Sequence, residues 1–410
     1  MAPKAPHQSA SWFYLFRSLD AVLRVIEPMF PNSLRQRAID AALAFTEERL
    51  NGEDGMGAIY PPMANIVMMY EALGKDESFP PRAVTRRGID KLLVIGDDEA
   101  YCQPCVSPVW DTALTCHALQ EAGGDDTLAK AKQGLDWLKP RQVLELKGDW
   151  AVKAPDVRPG GWAFQYNNDH YPDLDDTAVV VMAMDRVRRH TGTREYDEAI
   201  ARGREWIEGL QSRDGGWAAF DANNLEYYLN NIPFSDHGAL LDPPTEDVTA
   251  RCISMLGQLG ETAESSKAMA DGISYLRRTQ LPEGSWYGRW GLNYIYGTWS
   301  VLCALNVAGV DRNDPMIRKA VEWLASVQNQ DGGWGEDAVS YRLDYKGYEV
   351  APSTSSQTAW ALLGLMAAGE VENPAVVRGV EYLKATQTEK GLWDEQRYTE
   401  IGRASCRERV

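Results

Sequence analysis

A motif of fixed order recurs along the chain, and it limits what the chain can fold into. One copy reads Arg202-Gly203, then Trp206-Ile207, Gln211 and Gly215-Gly216-Trp217. A second reads Asp271-Gly272, Tyr275-Leu276, Gln280 and Gly284-Ser285-Trp286. A third is Lys319-Ala320, Trp323-Leu324, Gln328 and Gly332-Gly333-Trp334, and a fourth is Arg378-Gly379, Tyr382-Leu383, Gln387 and Gly391-Leu392-Trp393. A looser fifth runs Gln133-Gly134, Trp137-Leu138, Gln142 and Gly148-Asp149-Trp150, and residues 51–57 look like a decayed relative. Units of this kind bury their apolar faces only on their neighbours. In each, an aromatic and an aliphatic residue mark the buried side of a helix, and glycine permits the positive-φ turn that ends it. The next segment is again apolar at helical spacing, as in residues 298–307 and 357–368. The Gln amide is suited to lie on the Trp ring and to bond backbone at a helix end. The pattern predicts an all-α fold, a barrel of paired helices. It speaks to fold and not to chemistry.

The charge balance narrows the partners. Lys+Arg number 42 against 59 Asp+Glu, a net charge of −17, which repels nucleic-acid phosphates. Cysteines at 102, 105, 116, 252, 303 and 406 form no regular framework, which fits a reducing compartment. Cys102 and Cys105 lack a second matching pair and are read as buried structural thiols, so no metal site is expected. No apolar run reaches the length of a membrane span, and residues 1–10 lack the apolar core of a signal peptide. Residues 12–30 are unusual: Trp12, Phe13, Tyr14, Leu15, Phe16, Leu23, Val25, Ile26, Met29 and Phe30 surround one polar stripe of Arg17, Asp20, Arg24 and Glu27. Such a helix is deeply buried or lies in a membrane interface, and the pattern alone favours burial. Residues 401–410, with Cys406, fit a sequencing adapter translated in frame and are set aside together with Glu400.

Chemistry concentrates in Tyr171-Pro172-Asp173-Leu174-Asp175-Asp176-Thr177, ahead of an apolar run over 178–184. Proline sets the entry, and the aspartates fall at the cap and first turn of a helix. Helix dipoles favour acids there, but three carboxyls in four residues exceed what a cap requires. Their mutual repulsion should leave one protonated near neutrality, with donors at the helix start stabilising the conjugate base. An acid of this kind can protonate an alkene if water is excluded. The resulting carbocation needs negative surface without nucleophiles, which aromatic faces provide. Trp110, Trp162, Phe164, Phe220, Phe234, Trp290, Tyr294 and Tyr296 are candidates, each on its own as consistent with core packing.

Taken together, the Asp173-Leu174-Asp175-Asp176 motif, the Gln…Trp repeats, Gly160-Gly161-Trp162-Ala163-Phe164, Pro243-Pro244-Thr245-Glu246-Asp247-Val248-Thr249 and Gly288-Arg289-Trp290-Gly291 resemble the squalene–hopene cyclases over residues 11–399. The resemblance implies two α-barrel domains: a partial one over 1–104 with a membrane-facing helix, and a catalytic one over 105–400. It implies cyclisation of squalene to hopene and hopanol without a cofactor, on the cytoplasmic side of a membrane. It makes Asp175 the proton donor, Asp173 and Asp176 its modulators, and Asp247 a supporting residue. Trp110, Phe164, Phe220, Phe234, Trp290 and Tyr296 would line the cavity. Residues 12–30 would face the membrane, and a homodimer is compatible.

Two positions depart from the family. Arg251 stands where the family carries a histidine, and a permanent cation there would make the donor more acidic if it pairs with the motif. His237 takes the place of an aromatic residue. The family is also longer at both ends, so Met1 is read as internal and the 410-residue chain alone is expected to be inactive, because an incomplete barrel leaves apolar faces unburied. Three other readings remain at this stage. A glycan-processing (α/α)6 barrel would need a second, distant acid. A zinc prenyltransferase barrel would need a ligand set that His7, His117, His170, His190 and His237 do not suggest. A helical scaffold would be indifferent to Asp175.

Overall fold

The computed structural model describes residues 3–5, 7–50, 52–232, 240–341, 347–395, 397 and 399. They fall into two units. One comprises the described residues of Met1–Val106, Gln165–Asn168 and Asn224–Asp242; the other comprises Ser107–Phe164, Asp169–Asn223 and the described residues from Pro243 onward.

The first unit holds α1 (Ala10–Ile26), α2 (Asn32–Glu48), α3 (Tyr60–Ala72) and α4 (Pro80–Leu92), then a hairpin of β1 (Leu93–Ile95) and β2 (Ala100–Cys102). Met63, Ile66, Tyr70 and Leu92 form the buried seam of α3 and α4. In α1, by contrast, Phe13 alone is buried. Tyr14, Leu15, Leu19, Val22, Leu23, Val25 and Ile26 are exposed, as are Met29 and Phe30 just beyond. In this chain residues 12–30 are thus mostly exposed and not buried: an all-round apolar pattern says that water is disfavoured, not what replaces it. The two nearby cysteines also depart from expectation. Cys102, at the end of a two-stranded hairpin too small to cover its own side chains, is exposed, and Cys105, beyond the hairpin and in a β-bridge with Ile59, is half-buried.

The second unit contains five helix pairs: α5 (Pro108–Ala122) with α6 (Asp125–Leu138), α7 (Leu174–Thr191) with α8 (Asp197–Gly209), α9 (Glu246–Gln258) with α10 (Lys267–Thr279), α11 (Asn293–Val307) with α12 (Pro315–Ser326), and α13 (Ser355–Ala367) with α14 (Pro374–Thr386). Antiparallel strands β3 (Trp334–Glu336) and β4 (Val350–Thr354) lead into α13. Odd-numbered helices pack on one another in order, α5 on α7, α7 on α9, α9 on α11 and α11 on α13. Along this row α7, α9 and α11 are buried over most of their residues, while α5 and α13 bury one side. Even-numbered helices bury one stripe, which in α10 is Met269, Gly272, Tyr275 and Leu276. This is the paired-helix barrel architecture that the repeats predict.

The repeat residues join these pairs. Gln211 Nε2 donates to Gly215 O in its own turn and to Ala268 O at the start of α10, both at 2.8 Å. Gln280 bonds Gly284 O and Met316 O in the same way, and Gln328 bonds Gly332 O and Ala375 O. Each indole donates back to the end of the preceding helix: Trp217 to Ile207 O, Trp286 to Leu276 O, Trp334 to Leu324 O and Trp393 to Leu383 O. The helix glycine makes room for the ring. A Cβ on Gly272 would lie 2.8 Å from Trp217, and one on Gly379 2.7 Å from Trp334.

The loose repeat requires a correction. Gln142 donates to Gly160 O and Ala199 O, and Trp162, not Trp150, returns its indole N–H to Leu138 O at 2.8 Å. Residues 143–159 are an insertion, inside which Gly148-Asp149-Trp150 imitates the motif.

Candidate active site

Every odd helix from α7 onward begins on the same frame. The backbone N–H groups of Trp162, Trp217, Trp286 and Trp334 donate to the hydroxyls of Thr177, Thr249, Thr298 and Thr358, at 2.9, 2.9, 3.1 and 3.0 Å. Thr112 takes the corresponding place on α5, its hydroxyl donating to Pro108 O as Thr177 does to Asp173 O and Thr358 to Thr354 O, 2.6 Å in each case. Two residues before each threonine stand Trp110, Asp175, Asp247, Tyr296 and Ser356. One register thus repeats on five helices, and the candidate acid occupies it on α7.

The three aspartates divide the work at this helix start. Asp173 is the N-cap, its Oδ1 accepting the Asp176 N–H at 2.7 Å. The helix-end donor expected to serve Asp175 therefore serves Asp173. Asp173 Oδ2 and Asp176 Oδ1 are buried and accept from no donor among the described residues. Two buried carboxyls facing each other without a donor are relieved by a proton on one of them. Burial pushes Asp173 up to about 7, and burial plus the Asp173 charge raise Asp176 well above the carboxylate range. Burial also raises Asp175, against the pull of Arg251 and with the push of Asp247.

Arg251 meets the condition set for it. Its Nε lies 2.9 Å from Asp175 Oδ1, with side-chain exposures of 12% and 14%. Its Nη2 donates to Tyr296 Oη at 3.2 Å. Burial works against the guanidinium charge, yet Asp175 and Tyr296 outweigh it and raise its pKa. An anion on Asp175 thus has a charge-assisted hydrogen bond waiting for it.

Asp247 is buried in the same register on α9, and its Oδ2 accepts the backbone N–H groups of Arg289 (2.8 Å) and Trp290 (3.0 Å). It thereby fixes the loop that carries Trp290, which meets Phe220 edge-on at 5.9 Å. Trp110 and Tyr296 are buried, while Phe164, Phe220 and Trp290 are half-buried. Phe234 and His237 lie outside the described residues.

Sequence reasoning passed over Trp299 and Trp360, which pack against Tyr296 at 5.2 and 4.9 Å. It also passed over Glu246, which burial pushes up to about 8, and Glu336, a buried carboxylate accepting the N–H groups of Asn293, Tyr294 and Ile295 at the start of α11. Neither tryptophan stands in the threonine register: Trp299 is one residue past Thr298 and Trp360 two past Thr358.

Comparison with known proteins agrees with this geometry. The squalene-hopene cyclase C-terminal domain matches residues 106–405 and the N-terminal domain residues 1–98. A squalene–hopene cyclase of Bradyrhizobium diazoefficiens is 82% identical over 402 residues, covering 98% of this chain and 61% of the relative. One of Zymomonas mobilis is 57% identical over 395 residues, covering 95% and 60%. The chain thus spans about three fifths of the length of the curated relatives it matches. Among solved structures, ent-copalyl diphosphate synthase from Streptomyces platensis superposes with a TM-score of 0.50 at 19% identity, over 78% of this chain and 50% of that one, a likeness of fold alone.

Proposed function

This chain belongs to the squalene–hopene cyclase family, and from that premise we propose that the protein it is part of protonates a terminal alkene of squalene and guides the cation through ring closure to hopene or hopanol. The observation that carries the reading is the Asp175–Arg251 pair, set beside two carboxyls whose buried oxygens lack donors among the described residues. Asp175 gives its proton to one alkene carbon, a C–H bond forms, and the charge moves to the neighbouring carbon. Each further double bond attacks the cation in turn, and loss of a proton or capture of water ends the sequence. Proton in and proton out make the hopene route an isomerisation. Arg251 stabilises the aspartate anion left behind, and Asp173 with Asp176 keeps a proton in reserve next to it. The π-faces of Trp110, Phe164, Phe220, Trp290 and Tyr296 offer negative potential without a nucleophile. The test is to incubate the full-length protein with squalene in detergent micelles, without added cofactor, and to identify products by gas chromatography and mass spectrometry. Pentacyclic hydrocarbon or alcohol is expected; recovery of unchanged squalene alone contradicts the reading.

The same proposal places the protein on a membrane surface, on the cytoplasmic side. Its support is the exposed apolar surface of α1, together with the apolar character of the substrate. No helix among the described residues is long and apolar enough to cross a membrane. Flotation with phospholipid vesicles checks this: Leu19→Glu with Leu23→Glu should release the full-length protein, and unchanged flotation speaks against α1 as the contact. Sedimentation in detergent checks the homodimer.

A further inference from the structure

Trp299 lies outside the carboxyl cluster yet adjoins its cation. Arg251 reaches across from α9 to Asp175 and Tyr296. Its guanidinium carbon is 5.5 Å from the ring centroid of Trp110 on α5 and 5.4 Å from that of Trp299 on α11. At such distances each indole face attracts the cation, while the N–H groups in the guanidinium plane stay available for hydrogen bonds. Trp299 is itself braced. It stacks on Trp360 of α13 at 5.9 Å with 12° between the planes, and it meets Tyr296 edge-on at 5.2 Å. Two adjacent helices thus build a three-ring wall beside one side chain.

Resting on the reading of Asp175 as the donor, we propose that Trp299 is a positioning residue: its indole face holds the Arg251 guanidinium on Asp175 and Tyr296, and so sets the acidity of the donor. Arginine has a long stem with several rotatable bonds, and one ion-pair contact does not fix it. A guanidinium that swings off Asp175 takes with it the charge-assisted bond to the anion. The carboxyl then holds its proton more tightly and transfers it to an alkene more slowly. The groups facing this pair are Asp176 on α7 and its N-cap Asp173, His117 on α5, Asp247 and Cys252 on α9, and Tyr296 and Cys303 on α11. Tyr296 and Cys303 also adjoin Trp299, so the test must show that any effect passes through Arg251.

The experiment follows the Asp175 carboxyl in full-length protein carrying isotope-labelled aspartate. Infrared spectroscopy reads its titration, with the Asp175 band identified as the one missing in Asp175→Asn. Trp299→Leu should raise the midpoint by ~1 pH unit and lower kcat with squalene to about a tenth, with KM little changed. Trp299→Phe, which keeps a π-face, should recover most of both. In an Arg251→Gln background Trp299→Leu should move the midpoint no further. Trp299→Met, closer in volume, replaces the leucine variant should that one fail to fold. An unmoved midpoint, or an equal shift without Arg251, overturns the positioning role. A midpoint shift in Trp299→Leu beside a wild type that turns over no squalene would leave the role standing and remove the cyclase reading; normal wild-type turnover with an unmoved midpoint in the variant does the reverse.

Discussion

The starts of α7 and α13 are built on one frame and put to opposite uses. In both, a tryptophan N–H bonds the threonine hydroxyl one turn in, and the N-cap side chain accepts from the residue three further on: Asp173 from Asp176, Thr354 from Gln357. At α13 the polar side chains are partnered. Gln357 Oε1 accepts from Glu336 N and Thr354 Oγ1, and Ser356 donates through both its backbone N–H and its hydroxyl to Glu395. At α7 the corresponding positions carry three carboxyls, two of them with buried oxygens that accept from no donor among the described residues. The frame is therefore indifferent to its cargo: the repeat supplies a rigid, buried helix start, and substitution at three positions turns a satisfied cap into a store of protons. Unsatisfied buried polar atoms are the mark that separates the two.

Five substitutions in the full-length protein would break or sharpen that contrast. The largest effect is expected from Asp175→Asn, which should lower squalene turnover by ~10²–10⁴-fold without unfolding the protein, whereas Ser356→Ala, at the same register of α13, should leave turnover essentially unchanged; product quantification compares the two. Trp334→Ala attacks the α13 frame itself and should cost about 3–5 kcal/mol of stability in urea unfolding, as loss of a buried indole does. Gln211→Ala removes one amide that bonds two carbonyls and should cost about 1–2 kcal/mol by the same measurement. The smallest effect is a pH dependence. Carboxyls whose pKa is raised on folding bind more protons in the native state than in the unfolded chain. Their stabilising contribution is full below the ordinary carboxylate range and is lost as pH rises through about 7, where Asp173 titrates. Asp176→Asn cannot ionise, so its thermal stability relative to wild type should grow from pH 5 to pH 8. A constant difference across that range would mean that the cluster is no more basic than ordinary carboxylates.

The repeat made the paired-helix fold legible because it prints its own hydrogen bonds: the Gln, the glycines and the Trp are the atoms that join neighbouring pairs. The loose fifth copy was misread because spacing cannot register the 143–159 insertion, and Trp150 fits the pattern while Trp162 fits the fold. The helix start at Asp173 and its acid cluster were readable from residue type alone. The partner of Asp175 was readable only as a condition, since a side chain 76 residues away announces no contact until α7 and α9 pack. Trp299 and Trp360 went unseen because a lone aromatic in an apolar helix looks like core. What covers residues 12–30 was not legible, because hydropathy names the solvent avoided and not the surface met.

At the centre stands a buried carboxyl cluster whose pKa values are raised by burial and mutual repulsion, and it should still carry a proton at neutral pH. Infrared spectra of the full-length protein with labelled aspartate, taken at pH 7 for wild type and Asp176→Asn, read this without any substrate. A protonated-carboxyl band in the wild type that weakens or disappears in the variant is the expected result. Aspartates that are all ionised at pH 7 would contradict it.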